Sequence, residues 1–279
     1  MARPCRCRAV SFWMQMVVLM APAELFPTQV HCDAGEVIVA HFRRAQGIEA
    51  VLLLNSCARG MGTPQSDLDI GVLVEEQANV DIERLKTQWD AFYASDATLQ
   101  RLRRLGRYTS VHLDFIAGNY LPTIWDDGGG PDAFEIEIGN HVVYSVPLLC
   151  NGPKYKNLRT AWLPYYDEKV RLQRLKMVRE ACLYDLDFVP FYVERELYFQ
   201  AFDRLYKAYQ EFLQALFIAR RVYPLAYNKW IRLQVAEWLG LPALYAHLPH
   251  ILQVSQLESN ELITKATYLR SLLETWTTS

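Results

Sequence analysis

Apolar positions fall into two rhythms along the chain. Before about residue 150, short apolar runs alternate with helix-like stretches; after it, long stripes with helical spacing dominate. Residues 33–46 predict a first helix, with Val37, Ile38, Ala40 and Phe42 apolar, Arg43 and Arg44 near its end, and Gly47 as terminator. Val51 to Leu54 form the continuous apolar run of a strand covered on both faces. A short loop punctuated by Gly60 and Gly62 leads to a second strand over 67–74. Residues 80–105 predict one helix with Ile82, Leu85, Trp89, Phe92 and Tyr93 as its apolar stripe. Residues 108–117 predict a third strand, rich in β-branched and aromatic side chains. The run 126–131, Asp-Asp-Gly-Gly-Gly-Pro, reads as a loop with solvated acids. Residues 134–149 read as a hairpin turning at Gly139-Asn140, with Glu135 and Glu137 as exposed edge-strand acids.

Asn151-Gly152-Pro153 marks the expected domain boundary, and everything beyond it reads as helix. Residues 167–187 predict a helix that stops before Pro190, and 192–223 predict the longest one, ended by Pro224. Asn228 reads as the N-cap of a helix through Leu239; 242–252 and 258–276 give two more. The expected class is α+β: a mixed β-sheet domain over 25–150 and an all-α bundle of about five helices over 151–279, with 1–24 an uncertain extension.

The chemistry lies in the second strand. Asp67 and Asp69 alternate with Leu68 and Ile70, so the period of two puts both carboxylates on one side. Such a pair is either solvated or bridged by a cation, and a divalent ion is the common bridge. Asp114 sits among Val111, Leu113, Phe115 and Ile116 of the third strand. If the two strands are neighbours, it joins the pair as a third oxygen ligand or as a base.

Ser56, the tripeptide Ala58-Arg59-Gly60, Ser66-Asp67-Leu68-Asp69 and Asp114 occur in that order, and in this the chain resembles the nucleotidyltransferase superfamily, whose fold is that of DNA polymerase β. The family places Gly where this chain has Asn55. The helical half is similar in layout to that of the aminoglycoside and lincosamide nucleotidyltransferases. The resemblance implies a nucleotidyltransferase-type sheet domain and transfer of a nucleoside monophosphate, AMP from ATP being the expected case, to a hydroxyl of a small molecule. It implies two Mg²⁺ ions held by Asp67 and Asp69, with Asp114 as ligand, base or both. Ser56 and Arg59 would hold the triphosphate, and Lys229 would reach it from the helical half if it is not simply a solvated helix lysine. The cleft between the domains would be the active site. Antibiotic inactivation is one outcome of such chemistry. The alternatives are adenylylation of a protein, as by a toxin–antitoxin pair, and a nucleotide-binding module without catalysis.

Composition narrows the partners. A chain of 279 residues with 22% charged residues and a net charge of −2 lacks the basic excess of a nucleic-acid track, so no nucleic acid is expected. The basic group Arg101, Arg103, Arg104 and Arg107 reads as a solvated helix end. Cys5, Cys7, Cys32, Cys57, Cys150 and Cys182 show no CxxC spacing, which argues against zinc. His31 reads as a loop histidine and His41 as a helix-face one, neither in a metal-ligand pattern. Asp187, Glu194, Asp203 and Glu211 could receive an amino sugar, but a solvated helix face is the reading adopted. Arg3, Arg6 and Arg8 precede an apolar run over 9–20, followed by Ala21-Pro22-Ala23, the layout of a secretory signal. Because nucleoside triphosphates are intracellular, a start placed too early (Met14, Met16 or Met20 being the true one) and a cytoplasmic protein without membrane association are expected.

Overall fold

The computed structural model describes residues 25–75, 80–122 and 128–278. The signal-like stretch and the acids Asp126 and Asp127 lie outside the described residues. The chain divides into two compact units, one made of the described part of Phe12–Tyr120 with Glu137–Leu163, the other of Leu121–Ile136 and Pro164–Ser279. The Asn151-Gly152-Pro153 turn therefore falls inside the first unit. Among the described residues no helix is long and apolar enough to cross a membrane.

The first unit is built on a mixed four-stranded sheet in the order β3-β2-β1-β4, where β1 is Ile48–Leu53, β2 Leu68–Val74, β3 Val111–Ile116 and β4 Val146–Cys150. β1 runs antiparallel to β2 and to β4, and β2 runs parallel to β3. One face carries Val51, Leu53, Ile70 and Val72, which pack on Ile38 and Phe42 of α1 (Gln29–Phe42) and on Trp89 and Leu99. On the other face Ala50, Leu52, Leu54, Leu73 and Ile116 pack on Tyr155 and Leu158 of a later helix, Lys154–Trp162. Coverage on both sides accounts for the unbroken apolar run in β1. Pro147 is accommodated because β4 is an edge strand.

Two elements before residue 150 differ from expectation. The single helix over 80–105 is two, α3 (Ile82–Ser95) and α4 (Ala97–Arg103), because Asp96 adopts extended backbone and accepts from the Thr98 and Leu99 amides. A short acidic side chain that can cap offers the backbone an alternative to continuing the helix. The expected hairpin over 134–149 is instead a helical turn (Phe134–Ile138), a π-helical turn (Gly139–Val143) and then β4. Phe134 and Ile138, four residues apart, are both buried, so the alternation of apolar residues and glutamates served a helix face as well. Glu135 is not an exposed edge acid: it is fully buried and paired with Arg174.

The second unit contains, among the described residues, five helical segments after residue 164: Glu168–Val193, Tyr198–Arg220, Arg232–Trp238, Pro242–Leu252 and Glu261–Trp276. The first is the longest and runs through Pro190 instead of stopping before it. Pro190 lies close to the C-terminal end, and Val189 and Val193 on either side of it are buried in the core. That helix ends where Glu196 takes φ 59°, with Glu196 N–H bonded to Val193 O and Leu197 N–H to Tyr192 O. The Tyr198–Arg220 helix ends the same way: Arg221 takes φ 54°, its N–H meets Ile218 O and the Val222 N–H meets Phe217 O. Both are Schellman closures built without glycine. Glu211, expected on a solvated face, is buried at 1% exposure because the helix is enclosed on all sides from Glu211 to Ala219. The expected helix capped by Asn228 begins only at Arg232 and is π-helical. Buried Gln234 holds the preceding bend open by accepting from Leu225 N–H and donating to Ala226 O and Lys229 O.

Upstream of those helices, Asp132 and Glu135 meet Arg174 in a buried ion network. Arg174 Nε and one terminal nitrogen bond the two oxygens of Glu135 at 2.6 and 2.9 Å, and its terminal nitrogens reach Asp132 at 2.7 and 3.1 Å. Gln214 Nε2 donates to both carboxylates at 2.8 Å, and Tyr166 OH donates to Glu135 at 2.8 Å.

Candidate functional site

The site is assembled where β1 ends against β2. The Leu54 N–H donates to Asp69 O at 2.9 Å, and the chain then leaves the sheet through Asn55, which takes the left-handed φ of 51°. A single helical turn, α2 (Asn55–Ala58), follows and closes with Arg59 N–H and Met61 N–H both bonded to Ser56 O. Cys57 and Ala58 are buried beneath it, and the Cys57 thiol donates to Asp67 O at 3.6 Å. Burial pushes that thiol up to about 11, the neighbouring carboxylates adding to the shift. Gly62 leaves the thiol room: a Cβ there would lie 2.9 Å from Cys57 Sγ.

His31 braces the approach to the acids. It is a fully buried residue of α1, not a loop histidine; its Nδ1 pairs with Thr28 Oγ1 at 2.7 Å and its Nε2 with Ser66 O at 3.0 Å. The residue immediately before Asp67 is thereby tied to the first helix. His41 is a helix-face residue stacked on Phe92 at 4.2 Å.

The parallel register of β2 and β3 pairs Asp69 with His112 and Gly71 with Asp114. Asp69, Gly71, His112 and Asp114 therefore share one face of the sheet, and Asp67 continues the β2 period on that side. Burial raises the Asp69 carboxyl above its ordinary value, and Asp67 and Asp114 add repulsion; a hydrogen bond from Asn55 and the proximity of His112 act the other way. Asp67 Oδ2 lies 3.3 Å from His112 Nε2, which is also 3.0 Å from Ser110 Oγ. Asp114 is exposed. The structure thus brings Asp67, Asp69 and Asp114 into one electrostatic neighbourhood. Among the described residues no group of three or more His, Cys, Asp and Glu is arranged to hold an ion unaided.

Arg59 is 6% exposed, and burial lowers its pKa to about 10 against the opposing pull of Tyr144, Asp69 and Cys57. One terminal nitrogen reaches Asn140 Oδ1 at 3.5 Å, while its Nε has no hydrogen-bond partner. Asn140 belongs to the π-helical turn, as does His141, whose ring lies 6.1 Å from Tyr120. His141 Nδ1 and Tyr120 OH are buried without hydrogen-bond partners, and Asp114 lies in the field of His141. Insertion of an extra residue per turn is a frequent mark of functional segments. His112, Asn140 and His141 have no signature in the sequence, because each reaches the site through strand register or through a π turn whose sequence predicts a hairpin. Lys229 belongs to the second unit, in an exposed bend and not on a helix.

Comparison with protein-family models gives no match, and comparison with curated proteins gives none either.

Proposed function

We propose that the sheet unit is the catalytic half of a Mg²⁺-dependent nucleotidyltransferase that moves a nucleoside monophosphate, AMP from ATP in the simplest case, to a hydroxyl of a small molecule. The observation that carries this is the gathering of Asp67, Asp69 and Asp114 on one sheet face, beside a turn that leaves the sheet through a left-handed residue.

The residues fit a hydrated hard cation. Asp69 is a half-buried carboxylate under repulsion from two others, and Asp67 lies 3.3 Å from the His112 imidazole. Mg²⁺ is commonly held by one or two carboxylates, with water and substrate phosphates completing its shell, so a protein-only cage is not required. Asp67 and Asp69 would hold it, with Asp114 on the acceptor side. When bound, the metal would supply charge to the attacking and leaving oxygens. The acceptor oxygen forms a bond to the α-phosphorus, the bond from that phosphorus to the pyrophosphate oxygen breaks, and the hydroxyl proton passes to Asp114. Proton transfer of this kind contributes about 10²–10⁴-fold. Arg59, cationic at neutral pH, adds positive potential beside Asp69, and the Ser56 turn is the candidate for the triphosphate.

The test is a thermal-shift screen of the four nucleoside triphosphates, each with and without Mg²⁺. A shift that needs both nucleotide and metal, and is lost in Asp67→Ala and Asp69→Ala, is expected. Candidate acceptors, beginning with aminoglycosides and lincosamides, are then examined by mass spectrometry for an added nucleotide. Transfer that survives in the double variant refutes the mechanism, and binding of nucleotide without transfer to any acceptor would favour a non-catalytic module.

A further inference from the structure

We infer that Trp230 is a ligand-stacking residue of the second unit, and that its ligand is a planar ring bearing negative charge, as a nucleotide is. This role is independent of the acid site and is tested apart from it. Among the described residues, four other than glycine take a left-handed backbone: Asn55, Glu196, Arg221 and Trp230. Glu196 and Arg221 close helices, and asparagine visits this region readily. Neither reason covers Trp230, at φ 58°. A bulky residue held there is strained, and such strain persists only where the surroundings over-determine it.

Those surroundings are Gln234, which is fully buried. Its side chain accepts from Leu225 N–H at 2.6 Å and donates to Ala226 O at 2.9 Å and Lys229 O at 2.8 Å, and its own N–H donates to Trp230 O at 2.9 Å. The carbonyls on both sides of the Trp230 Cα are thereby held, and the chain is turned into the helical segment Arg232–Trp238. All four bonds use backbone atoms of residues 225–230, so the clamp does not need an indole, and glycine would serve the bend with least strain. Tryptophan stands there instead, 45% exposed. Its ring is presented on a clamped bend, which lowers the ordering cost of receiving a ligand. Lys229 and Arg232, on either side, are exposed cations. A stacking surface together with positive charge is the combination that holds a base and its phosphate.

ATP is the probe, measured by equilibrium dialysis on the full-length chain in EDTA, so that no divalent ion can bridge it to the acids. Trp230→Asn relieves the backbone and removes the ring, whereas Trp230→Phe keeps both ring and strain. The expected result is an ATP dissociation constant weakened about tenfold in Trp230→Asn, within the range that loss of a base–aromatic stack costs, and largely retained in Trp230→Phe. Inorganic tripolyphosphate, which has the charge and no ring, should bind wild type and both variants alike. Equal ATP affinity in wild type and Trp230→Asn would overturn the stacking role. An equal loss of tripolyphosphate binding in Trp230→Asn would overturn it as well, by showing that the bend and not the ring is at stake. A wild-type chain that binds no ATP in EDTA overturns it too, and leaves the metal-dependent reading to be judged by the shift that needs Mg²⁺.

Discussion

Arg174→Met tests whether the buried ion network of the second unit is a fixed support. Arg174 is 3% exposed at its side chain, Glu135 0% and Asp132 15%. Burial works against the Arg174 charge, and hydrogen bonds with Glu135 and Asp132 outweigh it, holding its pKa above the ordinary value. Methionine keeps most of the volume and could still pack on the Phe134 ring, which lies 4.6 Å from the guanidinium carbon. It removes four charge-assisted hydrogen bonds, leaving two carboxylates supported by the neutral donors Gln214 and Tyr166. Deleting one partner of a buried ion pair costs about 3–5 kcal/mol, because the remaining charge is uncompensated. At roughly 3 °C per kcal/mol for a unit of this size, the melting temperature falls by about 9–15 °C. Differential scanning calorimetry with urea melts followed by circular dichroism would measure both quantities. Glu135→Gln combined with Arg174→Met should recover a large part of the loss, since it removes the most deeply buried of the stranded charges. A loss below about 1 kcal/mol for Arg174→Met, or a double variant no better than the single, would refute the reasoning.

Three further outcomes are expected. Asp69→Asn should stabilise the metal-free protein by about 0.5–1 kcal/mol while abolishing the shift with Mg²⁺ and nucleotide. Because folding raises the Asp69 pKa, the penalty it removes is absent in acid and appears as pH rises through the carboxylate range, so the advantage over wild type in urea melts should grow from pH 4 to pH 7. The Cys57 thiol, raised from 9.0 to about 11, stays protonated in the folded state where the unfolded chain has ionised. Its stability contribution is complete below pH 9 and is lost between pH 9 and 11, by up to about 1.4 kcal/mol per pH unit; Cys57→Ala should flatten the melt profile over that window by the same amount. Gly71→Ala would place a Cβ 2.5 Å from Ile116 Cδ1 and 3.1 Å from Leu54 Cδ1, costing about 1–3 kcal/mol in urea denaturation, and adding Ile116→Val should return most of it.

The acid strand was legible because period-two alternation is short-range: Asp67 and Asp69 needed no tertiary information to share a side. Asp114 was placed beside them by a parallel register that the sequence could suggest but not set. The 134–149 segment misled because Phe-Glu-Ile-Glu-Ile alternates as a strand does, while the burial of Glu135 depends on an arginine 39 residues away. Both Schellman closures escaped notice because their left-handed residues are Glu196 and Arg221, not glycine. His31 was underrated for a related reason: its role lies in a carbonyl 35 residues on, at Ser66.

The division of the chain carries a consequence for taking the protein apart. The backbone passes from one compact unit to the other at Tyr120, at Ile136 and again at Leu163, so neither half is a contiguous piece of polypeptide. A fragment beginning at residue 151 would carry Arg174 without Asp132 and Glu135, and a fragment ending at 150 would carry those acids without their arginine. Severed at the sequence's own punctuation mark, each piece would inherit half of a salt bridge, and recovery of a native fold should require the two fragments to be made together and to recombine.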